Sequence, residues 1–360
     1  MAQSDAPGTL DGLATVITKA VSSRHRTRSQ DDPRAVWLLK VGEEAAILVP
    51  TRRSSARRIL GAGLTLAASI YITIYVVNQW PVLAGAIEKI KPANTAIAIA
   101  MITLMVALKT TYHVIALRRL SNDQGPSATR IALAYAVSQI VRYLPGKILG
   151  VVYEANQLAG AISTQQIVTA NLVQMLLTSA LTVAVLAAVA AWVILESVWS
   201  ASALLAISLI ALWLGHRLHL AERFITTVAR FLPRLRNLPH IQPSTKHWAL
   251  AASLILLAEW LPYFGYWTFL LPGGTNGVRE AILLGSCYAG ASIAANLAVI
   301  MPSGLIIREA LFLWIGSQMA MDPPTLIVLG VMSRLLFTLA DLALIPLVWL
   351  LGQLSSLLKK

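Results

Sequence analysis

The chain has a single cysteine, Cys287, set in an apolar stretch. An internal disulfide is therefore excluded, and the redox compartment goes unmarked. Charge is scarce as well. Only 12% of the 360 residues are charged and 57% are hydrophobic, against roughly 25% and 45–50% in soluble domains. An ordinary soluble globular fold is thereby excluded. No Walker loop is present, so ATP-driven pumping has no support. No Cys–His or His–Glu spacing resembles a zinc site, and His25, His113, His216, His219, His240 and His247 are scattered. His216 and His219 are expected to be interfacial. The chain reads as a non-enzyme with no metal and no cofactor. The net charge of +13 comes without an aromatic–basic face, which argues against nucleic acid. Residues 1–58 contain no apolar stretch long enough for a signal peptide, so the first membrane helix is expected to remain in the mature protein.

What the sequence does contain is a series of apolar runs longer than about 18 residues, the length of a membrane-crossing helix. Basic residues gather at their ends, as positive-inside topology requires. Residues 1–58 hold ten Lys/Arg and six Asp/Glu. They read as a basic cytoplasmic segment, either a topogenic tail alone or one that also binds a partner or the lipid surface. Spans are expected at about Ile59–Val77, Thr95–Leu117, Ile167–Leu195, Trp199–Gly215, Trp248–Leu271 and Thr325–Leu351. Lys109 and His113 fall in the last turns of the second, with Lys109 expected to snorkel to the inner surface. The polar region 216–247 carries six Lys/Arg and one Glu and is placed in the cytoplasm. The tail 353–360 is placed there too.

Topology then constrains two segments. Residues 130 and 165 both fall on the cytoplasmic side, and the stretch between them is too short for two full crossings of about 20 residues each. Ile131–Leu144 and Ile148–Leu158 are separated by Pro145-Gly146, so a re-entrant hairpin with its tip at that pair is expected. Broken backbone at such depth is tolerated only where protein or a water-filled cavity covers it. By the same reasoning 281–324, interrupted by Pro302-Ser303-Gly304, is either two tight crossings or a second hairpin from the other side, and the hairpin is the reading preferred. Two such breaks in opposite orientation resemble the inverted repeats of transporters, whose substrate site lies where the breaks meet. The expected fold is all-α, a polytopic transmembrane helical bundle with two re-entrant hairpins in an inverted repeat.

Ionisable residues within the membrane are expensive and usually face a bundle interior or cavity. Arg142 and Lys147 flank the first tip. With the free N–H groups of the helix that starts after Gly146 they could make an anion site, for which a lipid phosphate is the natural occupant; snorkelling from a shallow hairpin is the alternative. Lys147 and Glu154 share a helix face. Arg308 and Glu309, being adjacent, are expected to point in different directions, Arg308 to the cavity and Glu309 to Arg334. Glu259 falls near mid-membrane as either a neutral hydrogen-bonded carboxyl or a proton or cation relay. Asp341, seven residues after Arg334, balances it on one face. Glu154, Glu259, Glu309 and Asp341 thus form a charge-balancing or proton-relaying set.

"RYLPGKILGVVYEANQLAG" and "PSGLIIREALFLWIGSQMAMDPPTLIVLGVMSRLLFTLADL" resemble the lysylphosphatidylglycerol synthase transmembrane region family. That family has a Pro-Gly-Lys motif in its first half and a Pro-x-Gly-x-x-x-Arg-Glu-like motif, followed by an Arg, in its second. Here these fall on Pro145, Gly146 and Lys147, on Pro302, Gly304, Arg308 and Glu309, and on Arg334. The likeness covers about residues 59–352. It implies a bacterial inner-membrane protein with both termini cytoplasmic that binds and flips a lipid: an anionic phospholipid, a polyprenyl-phosphate-linked sugar or a hopanoid-type lipid. Two departures stand out. The chain has no room for the aminoacyl-transferase domain of the fused members, and Ile306 and Ile307 stand where the family often has a second Gly. Two further readings are an accessory subunit of a membrane glycosyltransferase or lipid-modifying enzyme, and an ion-coupled carrier of a small anion centred on Glu259.

Overall fold

A long apolar run has no water to satisfy its backbone, so it closes its own hydrogen bonds as helix. The computed structural model describes residues 81, 84, 85, 88, 91–121, 125–141, 149–231, 245–271, 277–297, 305–319, 321 and 323–357. All belong to the unit Ala56–Lys360. Among these residues there are eleven helices and no strand: α1 Pro92–Leu120, α2 Ala128–Val141, α3 Leu149–Gln157, α4 Thr164–Leu195, α5 Val198–Arg217, α6 Leu220–Phe231, α7 Lys246–Ala258, α8 Trp260–Leu270, α9 Val278–Leu297, α10 Leu305–Gln318 and α11 Pro323–Leu357. Pro at the start of α1 is pre-set for its first turn. Ser163 and Gln166 form a capping box that opens α4. Thr245 caps α7 by accepting from the Trp248 N–H at 3.2 Å.

Five segments are long and apolar enough to cross a membrane: α1, α4, α5, α7 with α8, and α11. The chain is a multi-pass integral membrane protein. Its outward faces agree, since Trp199 is 85% exposed and Leu261 78%, an arrangement suited to lipid and not to water. The expected span 59–77 lies outside the described residues. The others fall within a few residues of the helices found, apart from Trp248–Leu271. That run divides at Glu259, because Pro262 has no N–H to offer the Ala258 carbonyl. Pro346 withholds a donor from the Leu342 carbonyl inside α11 in the same way.

At 14 and nine residues, α2 and α3 are too short to cross, and they pack on each other. Arg130 Nη2 donates to the Gln157 carbonyl at 2.9 Å, so the start of α2 lies beside the end of α3 and the pair is a hairpin. Gln166 Nε2 donates to the Leu120 carbonyl at 2.6 Å. The end of α1 and the start of α4 therefore share a level, as topology demanded. The α9–α10 pair also packs together; α9 has crossing length, 20 residues, without the sustained hydropathy of the five. The tips themselves, with Arg142, Pro145, Gly146 and Lys147 in one and Pro302 and Gly304 in the other, lie outside the described residues.

Helix α1 is the hub, packed against α2, α4, α7, α8 and α11. An aromatic core between α8, α9, α10 and α11 holds Tyr266, Trp267, Tyr288 and Phe312, all fully buried or nearly so. One correction concerns 216–247. This stretch is not simply a polar loop, since α6 occupies 220–231 and turns Ala221 and Ile225 inward against α4 and α5.

Candidate functional site

Three polar contacts leave the last three turns of α1 toward different neighbours. His113, fully buried, is held at both nitrogens. Nδ1 lies 2.9 Å from Gln174 Oε1, and Nε2 lies 2.6 Å from Glu154 Oε1, itself fully buried. Gln174 Nε2 donates to the Lys109 carbonyl at 3.1 Å. Its Oε1 is therefore the acceptor, and His113 Nδ1 carries a proton. Asn171 donates to Glu154 Oε2 at 3.0 Å and to the Ile167 carbonyl at 2.9 Å. Tyr135 stacks on the imidazole, ring centroids 4.0 Å apart. Four helices, α1 to α4, thus meet at one buried polar network, where an unsatisfied group would be expensive.

The second contact runs from Tyr112 to His216, 3.1 Å from hydroxyl to Nε2. His216 Nδ1 donates to the Leu212 carbonyl at 2.9 Å and lies 3.0 Å from the Ser253 hydroxyl. His216 is buried, 3% exposed, with Tyr112 and Ser253 as partners. The third is Arg119, which donates to His219 Nδ1 at 2.8 Å, lies 3.8 Å from Glu222 and covers the Trp248 ring at 4.2 Å. His219 itself adopts a left-handed backbone, φ 53°, in the tight turn between α5 and α6.

A separate charged cluster lies on α10 and α11. Glu309 Oε1 accepts from Arg308 Nε at 3.1 Å and Nη2 at 3.0 Å, and Arg334 Nε stands 3.0 Å from the same oxygen. Arg308 and Glu309 do not diverge as expected. The guanidinium folds back along its own helix and lies 4.8 Å over the Tyr288 ring, which leaves its face toward the aromatic core. Glu309 is thus shared between two cations. Around them the Tyr288 hydroxyl and Glu309 Oε2 are buried with no hydrogen-bond partner among the described residues. The Tyr266 and Ser333 hydroxyls neighbour each other without completing a bond. The hydroxyls and guanidiniums of this set are donors suited to an anion, while Glu309 Oε2 is an acceptor.

The expected site residues therefore separate. Arg308, Glu309 and Arg334 come together. Glu154 is held by His113 and Asn171. Glu259, 7% exposed, sits at the α7–α8 break, where the Lys109 charge acts on it. Lys109 is half-buried. Asp341 is half-buried on α11. His113, Tyr135, Asn171 and Gln174 were not anticipated as a group. The legible signal was the pair of amides three residues apart in the apolar helix α4, where lipid tolerates neither unless partnered.

No protein-family model matches the chain, and no curated protein or solved structure matches it.

Proposed function

We propose that this membrane protein binds an anionic lipid headgroup at the Arg308–Glu309–Arg334 cluster and translocates that lipid across the bilayer. The carrying observation is the sharing of Glu309 Oε1 by two guanidiniums, at 3.0 Å each, inside an apolar bundle. A phosphate could accept from these guanidiniums and from the Tyr288 hydroxyl. The side chains are 18–31% exposed, so a headgroup can reach them. The resemblance of the two tip motifs to the lysylphosphatidylglycerol synthase transmembrane region supports the same reading. It would place Lys147 and Arg142 on a second wall of the site and the protein in a bacterial inner membrane with both termini cytoplasmic. The lipid would be an anionic phospholipid or a polyprenyl-phosphate-linked sugar, or else a hopanoid-type lipid with an anionic head.

Mass spectrometry of co-purifying lipids, wild type beside Arg308→Ala and Lys147→Ala, tests this. One anionic class enriched in the wild type and lost in both variants supports the site and names the substrate for a vesicle flipping assay. Bulk lipid unchanged in all three would overturn it and favour an accessory subunit of a membrane enzyme.

A further inference from the structure

The His113–Glu154 contact has a chemistry that lipid binding does not use. His113 Nδ1 is committed as a donor to Gln174. Asn171 is committed as a donor to Glu154 Oε2. Only the 2.6 Å line between Nε2 and Oε1 remains, and it has room for one proton. With that proton present the pair is net neutral, whether written as imidazolium–carboxylate or imidazole–carboxylic acid. Remove it, and a lone pair on Nε2 faces an anionic oxygen with no solvent to screen them. Add another, and a donor on Nε2 meets a donor on Oε1, or a proton on Oε2 meets the Asn171 amide. Each change of proton count makes the present contact repulsive, and both groups are 0% exposed, so a shift of α3 away from α1 would relieve it.

We infer that His113 and Glu154 form a proton-binding site that couples one proton to the position of hairpin α2–α3 against α1 and α4. The inference stands independently of the lipid reading. Among the described residues, the groups around the pair are non-ionisable or engaged elsewhere. From α2, Tyr135 offers a ring face. From α4, Asn171 and Gln174 are polar without being ionisable. On α1 itself stand Lys109, half-buried, and Tyr112, bonded to His216 on the other side. On α3, Tyr153 lines an open pocket near the foot of the hairpin with Arg130 and Gln157. On α11, which packs on α1 and α2, Arg334 contacts Glu309, and neither it nor Asp341 forms a hydrogen bond or ion pair with His113 or Glu154. The hairpin is built from two helices too short to cross, with α3 packed on α2 and α4.

The test is hydrogen–deuterium exchange of residues 149–157 in the full-length protein in detergent, followed across pH and corrected for intrinsic exchange. In the wild type a one-proton linkage changes the opening equilibrium by about tenfold per pH unit through the transition. Glu154→Gln, whose amide can donate to Nε2 and accept from Asn171, fixes the neutral arrangement and should flatten the profile. Glu154→Asp retains a titratable carboxyl and should keep the dependence with its midpoint displaced. A wild-type profile that is flat wherever the protein stays folded would overturn the proposal, whether or not the variants fold. So would a Glu154→Gln profile indistinguishable from wild type.

Discussion

Arg334 and Glu309 meet at 3.0 Å across two helices, with Arg308 on the same carboxylate oxygen. Glu309 therefore separates two like charges that would otherwise repel in a partly desolvated setting. Glu309→Gln keeps the shape and removes that separation. It should destabilise the protein by about 1–3 kcal/mol, below the 3–5 of a fully buried pair because these side chains stay partly exposed. Pairing it with Arg334→Met should recover most of the loss. A double-mutant cycle on thermal unfolding midpoints in one detergent would measure both effects, and additive losses would mean that the pair does not couple.

Gln174 is the fixed point of the buried network, since it donates to the Lys109 carbonyl and accepts from His113. Gln174→Leu leaves the His113 Nδ1–H and that carbonyl facing hydrocarbon. An orphaned buried group costs about 1–3 kcal/mol, so a drop of that order in stability is expected. Gln174→Glu, nearly isosteric, should do worse at neutral pH than at acid pH, because an ionised carboxylate cannot donate to the Lys109 carbonyl. Unfolding at two pH values distinguishes the two variants; equal losses at both would argue against the hydrogen-bond assignment.

The crossing helices were legible because hydropathy over some 20 residues is a property of the run, insensitive to any one side chain. The hairpin α2–α3 was legible through length, since the stretch between 130 and 165 could not hold two crossings. Partner choice was not legible. His113 sits 41 residues from Glu154 and 61 from Gln174, and only the packing of α4 against α1 and α3 brings them together. The burial of His216 depended likewise on Ser253, 37 residues away. Arg308 was misjudged by treating adjacent residues as divergent; its side chain is long enough to turn back onto Glu309.

Gly285 lets α9 approach α8. A Cβ there would lie 2.8 Å from Trp267 Cδ1, and the Trp267 ring is fully buried, so it has nowhere to turn. The Gly285 carbonyl also accepts from the Tyr263 hydroxyl at 2.7 Å. Gly285→Ala should therefore destabilise by about 1–3 kcal/mol through overpacking. Gly290, one and a half turns further on, meets only the Leu186 tip at 3.4 Å. There Ala relieves the helix of a poor former, so Gly290→Ala should be neutral or stabilising by up to about 1 kcal/mol. The two thermal midpoints should move in opposite directions from wild type or differ by several degrees.

His219 lies outside the membrane-crossing helices, and its pKa is lowered from the usual 6.5, first by burial and then by the Arg119 and Arg223 cations, with Glu222 opposing. The neutral ring accepts from Arg119; the protonated ring cannot. Since the folded state holds a proton less readily than the unfolded chain, the unfolded chain binds more protons below the unperturbed value. The contribution of His219 to stability is then fully present above about pH 6.5 and declines as pH falls toward the lowered folded value. His219→Asn can still accept from Arg119 and tolerates a left-handed backbone, so it should retain stability at neutral pH and lose part of the acid sensitivity. The measurement is the difference in unfolding midpoint between pH 7.5 and pH 5.5, approximate bounds chosen to straddle the transition. A difference as large in His219→Asn as in the wild type would assign the acid sensitivity to other groups.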